Sequence, residues 1–341
     1  MQNNEQTSFI NILLQSGKLL GKFIRMNNNQ ELFEPDLRAL HVSIVKTSQI
    51  NSWFTLDHSI TRIEYISKYL CESLKQDISI HRKIPFVNKK IGIIIEDRIP
   101  FEFFPFFITF YISGCHQTYI GKTRDDGLIQ AFVKFLERVD SGVKNYISFS
   151  ERIPKDTQAL VMNEESFSAD LIRKYIKNKP VHFIKKRTGI AVLKGDESAY
   201  QLGLLAKDVL LFFGMGKENV KKVYIPVNYD FSNFFHATEE YHEIINHNKY
   251  ANNYQYHQSL YLFNRIPFLD NGFLIVKEDK SLFAPTGVLY YETYINQDDL
   301  NMKISVLEDR VRIRYTESDF GNSVRQSLQP DEELIRFLSS I

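Results

Sequence analysis

From Lys90 onward, short and largely apolar runs recur at intervals: IGIII (91–95), QTYI (117–120), ALVM (159–162), HFI (182–184) and IAVL (190–193). Runs of this length without strict polar alternation are the mark of strands covered on both faces. Helical periodicity at 125–138 and 166–177 falls between some of them. Strands and helices alternating at this spacing predict βαβ units and a mostly parallel sheet. The theme restarts with VKKVYIP (220–226), a helical period over SNFFHATEEYHEII (232–245), and strands at GFLIVK (272–277), TGVLYY (286–291) and VRIRY (311–315). The pattern predicts two α/β lobes, 86–200 and 201–315, with a tail over 316–341.

The first 85 residues differ in texture. Phe9, Ile12, Leu13, Leu20, Phe23 and Ile24 recur at helical spacing, and Thr7 and Ser8 are candidate caps for that helix. The cluster MNNNQE (26–31) separates it from later helical pattern, which includes 59–85, so residues 1–85 are expected to form a helical lead-in.

With 341 residues and 43% apolar content, the chain can bury a sizeable core. A net charge of +1 argues against coating nucleic acid or anionic membrane. The stretch IPFEFFPFFITFYISG (99–114) is shorter than the roughly 20 residues of a membrane span and carries Glu102 and two prolines; it predicts a buried helix behind a proline turn. Cys71 and Cys115 are too few for a disulfide framework, and no signal-peptide pattern is visible, so a cytoplasmic protein is expected.

Several motifs fall short of a site. FGMGKENVKKVYIP (213–226) has Gly214, Gly216 and Lys217, but Glu218 stands where a P-loop needs a hydroxyl, and the stretch opens a strand rather than a helix. In HEIIN (242–246), Asn246 replaces the second histidine of a zinc helix, which leaves Glu243 and His247 as an incomplete pair; no metal is expected. Cys115 and His116 are adjacent on a strand and so face opposite ways, which makes a buried, inert thiol the expectation. KYANNYQYHQ (249–258) reads either as a cleft lining or as an Asn-rich turn between packed tyrosines.

Taken together, NSWFT (51–55), IGIIIEDRIP (91–100), KKRTGIAVLKGDE (185–197), FFGMGKENVKKVYIPVNYDF (212–231), NKYANNYQY (248–256), LDNGFLIVKED (269–279) and APTGVLYYETY (284–294) resemble the LuxC-type acyl-CoA reductases, in the form found in Bacteroidetes. The resemblance covers most of the chain and is most specific over 212–294. It implies a two-lobed aldehyde dehydrogenase-like fold, with 86–200 as a cofactor-binding-like Rossmann lobe and 201–315 as a catalytic-like lobe. It also implies NADPH as cofactor and a covalent mechanism. A cysteine thiolate attacks a fatty acyl thioester, an asparagine and a backbone amide hold the oxyanion, and hydride releases the aldehyde.

The chain departs from that pattern at each working part. Lys217 stands at the position of the nucleophilic cysteine, and Arg98 at that of the oxyanion asparagine, with Asp97 before it. Glu164 and Glu165 replace small residues where the family faces cofactor phosphate, and a carboxylate there repels a pyrophosphate. Lys122 lies about two residues from the family's cofactor-ribose lysine, and side-chain alternation returns it to the same strand face. Arg187 and Glu278 match family positions, Glu278 as a possible acid/base. Three readings follow: a non-catalytic homologue serving as partner of an active reductase or acyltransferase, or as a homo-oligomer; an active reductase with altered chemistry; or a binder of an acyl chain or small anion.

Overall fold

The computed structural model describes residues 2–26, 34–74, 83–121, 127–165 and 179–341. The chain forms two compact units, residues 1–185 with 328–341, and residues 186–327. The division therefore lies at Lys185–Lys186, earlier than the expected boundary near 200. The cause is the strand Thr188–Val192, which pairs within the second sheet and not the first. The tail also splits, its last segment rejoining the first unit.

In the first unit, helices α1 (Gln2–Met26), α2 (Pro35–Ile50) and α3 (Leu56–Lys68) form the helical lead-in, α3 running on into a π turn at Tyr69–Ser73. Thr7 and Ser8 lie inside α1 rather than at its cap, because the helix extends back through polar residues that periodicity gives no reason to include. Thr55, by contrast, caps α3, its hydroxyl accepting from His58 N at 3.1 Å. Strands β1 (Lys90–Ile94), β2 (His116–Ile120), β3 (Ile147–Ser150), β4 (Ala159–Asn163) and β5 (Val181–Ile184) make an all-parallel sheet in the order β3-β2-β1-β4-β5.

Between β1 and β2 runs α4 (Phe104–Ile112), the buried helix expected behind the proline turn, and α5 (Leu128–Glu137) links β2 to β3. Phe132 on α5 meets the rings of Phe101, Phe104 and Phe107 at 6.1, 5.9 and 5.6 Å. These edge-to-face contacts fix the helices to one another. The C-terminal helix Glu332–Ser340 buries Leu334 and Leu338 in the same core. The helix expected at 166–177 lies outside the described residues.

In the second unit, β6 (Thr188–Val192), β7 (Val220–Pro226), β8 (Leu269–Asp270), β9 (Ile275–Glu278), β10 (Val288–Tyr294) and β11 (Val311–Tyr315) form a sheet in the order β11-β6-β7-β10-β9-β8. All pairings are parallel except β8 with β9. Helix α6 (Ala199–Leu210) joins β6 to β7 and opens on a capping box in which Ser198 N donates to Gln201 Oε1 at 2.8 Å. After β7 come α7 (Ser232–Thr238), a 3-10 stretch (Glu239–Asn246) and α8 (Asn248–Phe263). The segment 249–258 is thus helix rather than turn, with Tyr250 and Tyr254 buried against the sheet. Helix α9 (Gln297–Ser305) follows β10. Among the described residues, no helix is long and apolar enough to cross a membrane.

Candidate functional site

In the first unit the chain leaves β1 toward β2 and β3 on one side, while β4 and β5 build the other side. The C-terminal ends of β1 and β4 are therefore the topological switch point, where open parallel sheets hold ligands. Ile94 pairs with Met162, and two residues beyond that pair come Glu96 and Glu164, both exposed, with Glu165 beside them. Glu164 N is tied to Ile184 O at 3.0 Å. Three carboxylates at this edge, with no glycine loop after β1, do not fit a dinucleotide pyrophosphate. Lys122, the candidate ribose contact, lies outside the described residues.

Arg98 sits in the turn that follows β1, and Glu102 holds it there. Arg98 N donates to Glu102 Oε2 at 2.6 Å, and its guanidinium Nη2 is 3.6 Å from Oε1. The buried carboxylate of Glu102 thus serves both the backbone and the side chain of Arg98, the residue that the resemblance sets at an oxyanion position. Phe101, fully buried, adopts a left-handed φ of 55° in the same turn. Below it, burial first and then the charge of Asp97 push the Tyr119 phenol well above its ordinary range. Tyr119 donates to Gln117 Oε1 at 2.9 Å.

In the second unit, 211–219 is a clamped loop at the N-terminal edge of the sheet. Leaving α6, the chain makes three consecutive left-handed residues, Phe212, Phe213 and Gly214. At Gly214 a Cβ would lie 2.6 Å from Val209 O, so only glycine fits. Two phenylalanines tolerate the conformation because both rings are buried anchors, that of Phe213 lying 4.4 Å from His247 and 5.9 Å from Tyr250.

The other end of the loop is held by Asn219. Its Nδ2 donates to Asp208 O at 2.7 Å and Leu211 O at 3.1 Å, while Oδ1 accepts from Gly216 N at 2.8 Å. Its carbonyl accepts from Thr188 Oγ1 and Gly189 N, both at 3.0 Å. Tyr315 donates to Glu218 O at 3.0 Å. Asn219 N closes on Gly216 O at 3.2 Å, which puts half-buried Lys217 at the tip of a tight turn. Asp208 ties the loop's helix to 321–323, accepting from Gly321 N at 2.6 Å and Ser323 N at 3.0 Å.

Glu278 is not brought to Lys217. It pairs with Tyr291, which pairs with Val223, three residues up the strand from Val220. At about 3.3 Å per residue and 4.8 Å per strand, Glu278 stands roughly 10 Å along and 10 Å across from the start of β7, and further from the turn before it. Arg187 donates to Asp309 O at 3.1 Å, a structural tie.

Cys115 is fully buried at the N-terminal end of β2, away from the switch point, and accepts from Ser113 Oγ at 3.2 Å. Burial pushes its thiol pKa up, the opposite of what a nucleophile needs. His116 points elsewhere and stacks on Tyr146 at 5.2 Å. The Glu243–His247 pair is also spent locally. Glu243 accepts from Asn246, and His247 Nδ1 caps α8 by accepting from Tyr250 N at 3.3 Å. Asp196, Glu197 and Glu317 lie close together, but Lys194 pairs with Glu317 at 2.8 Å and Glu197 accepts from Lys194 N at 2.5 Å, so these acids shape a turn.

The sequence singled out neither Asn219 nor Asp208. Asp208 carried a readable signal, being an acid set among Leu205, Ala206 and Val209 on the apolar side of α6.

No protein-family model and no curated protein matches the sequence. Solved structures do match by shape. The NAD+ complex of a Bacillus cereus aldehyde dehydrogenase superposes with a TM-score of 0.55 at 10% identity, over 87% of this chain and 69% of that one. A Corynebacterium glutamicum NAD-dependent benzaldehyde dehydrogenase gives 0.55 at 8%, over 94% and 82%. A Marinobacter aquaeolei oxidoreductase gives 0.57 at 8%, over 93% and 76%. The chain has an aldehyde dehydrogenase-like fold.

Proposed function

We propose that the chain is a catalytically silent relative of the NADPH-dependent acyl-CoA reductases of the LuxC type, which keeps their scaffold for binding and serves as partner to an active reductase or acyltransferase. The observation that carries this reading is the clamped turn at 216–219. Its backbone is fixed by Asn219, Tyr315 and Thr188, yet the side chain at its tip is the Lys217 amine. An amine that attacked an acyl thioester would form an amide, from which hydride does not release an aldehyde.

Two further features support the reading. Arg98 is engaged with Glu102 instead of offering an amide to an oxyanion, and Glu96, Glu164 and Glu165 oppose a pyrophosphate at the switch point. NADPH belongs to this reading only as an ancestral cofactor.

The test is NADPH oxidation by the purified chain across short and long acyl-CoAs, run beside an NADPH titration. The expected result is no thioester-dependent oxidation and no family-like affinity. Lys217→Cys is expected to stay silent; if it gained reductase activity, the nucleophile alone would have been missing. Co-purification with a reductase or acyltransferase from the source organism checks the partner role, against which a solitary chain would count.

A further inference from the structure

Helix α8 ends in a tip whose backbone is closed on itself. Arg265 N donates to Leu262 O at 3.1 Å and Ile266 N to Tyr261 O at 2.9 Å, the pair of bonds that makes a Schellman motif. Asn264 N and Nδ2 both donate to Leu260 O, at 3.1 and 2.7 Å, and Pro267 has no N–H. Each backbone donor from 264 to 267 is thus satisfied within the turn or absent. A loop that stays in water gains little from this, because water takes up its donors. A loop that leaves water requires it.

The turn displays apolar side chains. Leu262 is 63% exposed and Phe263 87%, with exposed Pro267 and Leu269 beside them. Exposure of that degree makes the tip a convex knob and not the floor of a groove. Tyr256, 62% exposed, and Phe263 are spaced i, i+7, so they share a side of the helix, roughly 10 Å apart along its axis. Arg265 is the one charged residue from Tyr250 to Leu269 in the sequence, burial keeping His257 neutral at pH 7. It occupies the left-handed position of the motif, with φ 54°, where glycine is the ordinary occupant. The arginine is kept there at a conformational cost that glycine avoids.

We infer that this tip inserts into the surface of a phospholipid bilayer. A protein partner would have to supply a fitted pocket with a polar rim, whereas acyl chains close around any convex apolar shape. Leu262, Phe263 and Pro267 enter the boundary between headgroups and acyl chains, about 5–10 Å deep. Tyr256 then stands at the headgroup level, where a ring with a hydroxyl is favoured. Arg265 lays its stem along its apolar neighbours and carries its guanidinium to a lipid phosphate. Insertion of one tip is driven by apolar area, unlike the charge-driven coating that a net charge of +1 argues against. The proposal rests on the second unit alone and holds whether or not the chain is catalytic.

Co-sedimentation of the full chain with phosphatidylcholine vesicles, with and without a phosphatidylglycerol fraction, tests it. The wild type is expected to pellet with both at millimolar lipid, and more completely with the anionic ones. Phe263→Asp should weaken binding at least ~10-fold, as for a large apolar side chain kept out of an apolar medium. Phe263 is a surface residue, so circular dichroism and melting stay unchanged. Arg265→Gly separates structure from binding: it relieves the left-handed strain, so melting does not fall, yet it cuts the preference for anionic vesicles about 5-fold. Met302→Asp, at an exposed apolar position on α9, leaves binding unchanged. In a Phe263→Trp variant, brominated lipid quenches the added indole. A wild type that stays in the supernatant with both vesicle types, binding indifferent to Phe263→Asp, or an unquenched indole at 263 overturns the proposal; the first outcome would assign the tip to a protein partner.

Discussion

Replacing Asn219 with alanine tests whether one buried amide fixes the 211–219 loop. The side chain is almost fully buried and makes three hydrogen bonds, to Asp208 O, Leu211 O and Gly216 N. Alanine removes all three and leaves an N–H and two carbonyls to find other partners. At about 1–3 kcal/mol per stranded buried group, softened by partial relaxation, the loss is about 3–5 kcal/mol. For a unit of this size that lowers the melting temperature by roughly 10–15 °C. Asn219→Asp is expected to be at least as damaging, because a carboxylate oxygen would then face the carbonyls of Asp208 and Leu211. Urea denaturation gives the total loss, and hydrogen exchange localises it, with Gly216 N losing protection first. A destabilisation below about 1 kcal/mol, or unchanged exchange at Gly216, would refute the clamp.

Other perturbations probe separate ties. Gly189→Ala puts a Cβ 2.6 Å from Glu218 O and 2.9 Å from the Tyr315 ring, so the turn must shift; thermal melting is expected to fall and tyrosine fluorescence to change. Lys222, 1% exposed, pairs with Glu292 at 2.6 Å and donates to Lys280 O at 2.9 Å; Glu292→Leu keeps the carbonyl contact but removes the counter-charge, at a cost of about 3 kcal/mol, readable by denaturant titration. Burial raises the Asp208 pKa despite its backbone donors, so the folded state binds this proton more tightly than the unfolded one. Its ionisation therefore erodes stability as pH rises from 3.8 through the raised folded-state value, and Asp208→Asn should flatten that part of the stability–pH curve.

Most strands are legible because strands covered on both faces read as apolar runs, Lys90–Ile94 among them; the edge strand Val311–Tyr315 also falls where the sequence predicts a strand. β3 is not legible, since ISFS lies at the sheet edge with Ser148 and Phe149 exposed, and carries no such signal. GFLIVK begins as strand only at Ile275, because Asn271 Oδ1 accepts from Phe273 N and Leu274 N and holds a turn first. The period over 232–245 breaks at Glu239, where the α-helix tightens into a 3-10 stretch. α8 hides behind asparagine, glutamine and tyrosine, which give no inward-facing period when both faces are apolar. The unit boundary depends on which sheet β6 joins, a non-local choice that no window of sequence contains. The site divides the same way. Lys217 stands out only against the motif that the resemblance supplies, whereas the clamp of its turn by Asn219 comes from tertiary hydrogen bonds and its separation from Glu278 from strand register.

Intact-mass analysis of the chain after incubation with a long-chain acyl-CoA tests the central claim, loss of covalent chemistry, most directly. The account predicts an unshifted mass, with no hydroxylamine-labile adduct on either cysteine. A thioester-linked acyl adduct that NADPH then discharges as aldehyde would contradict it.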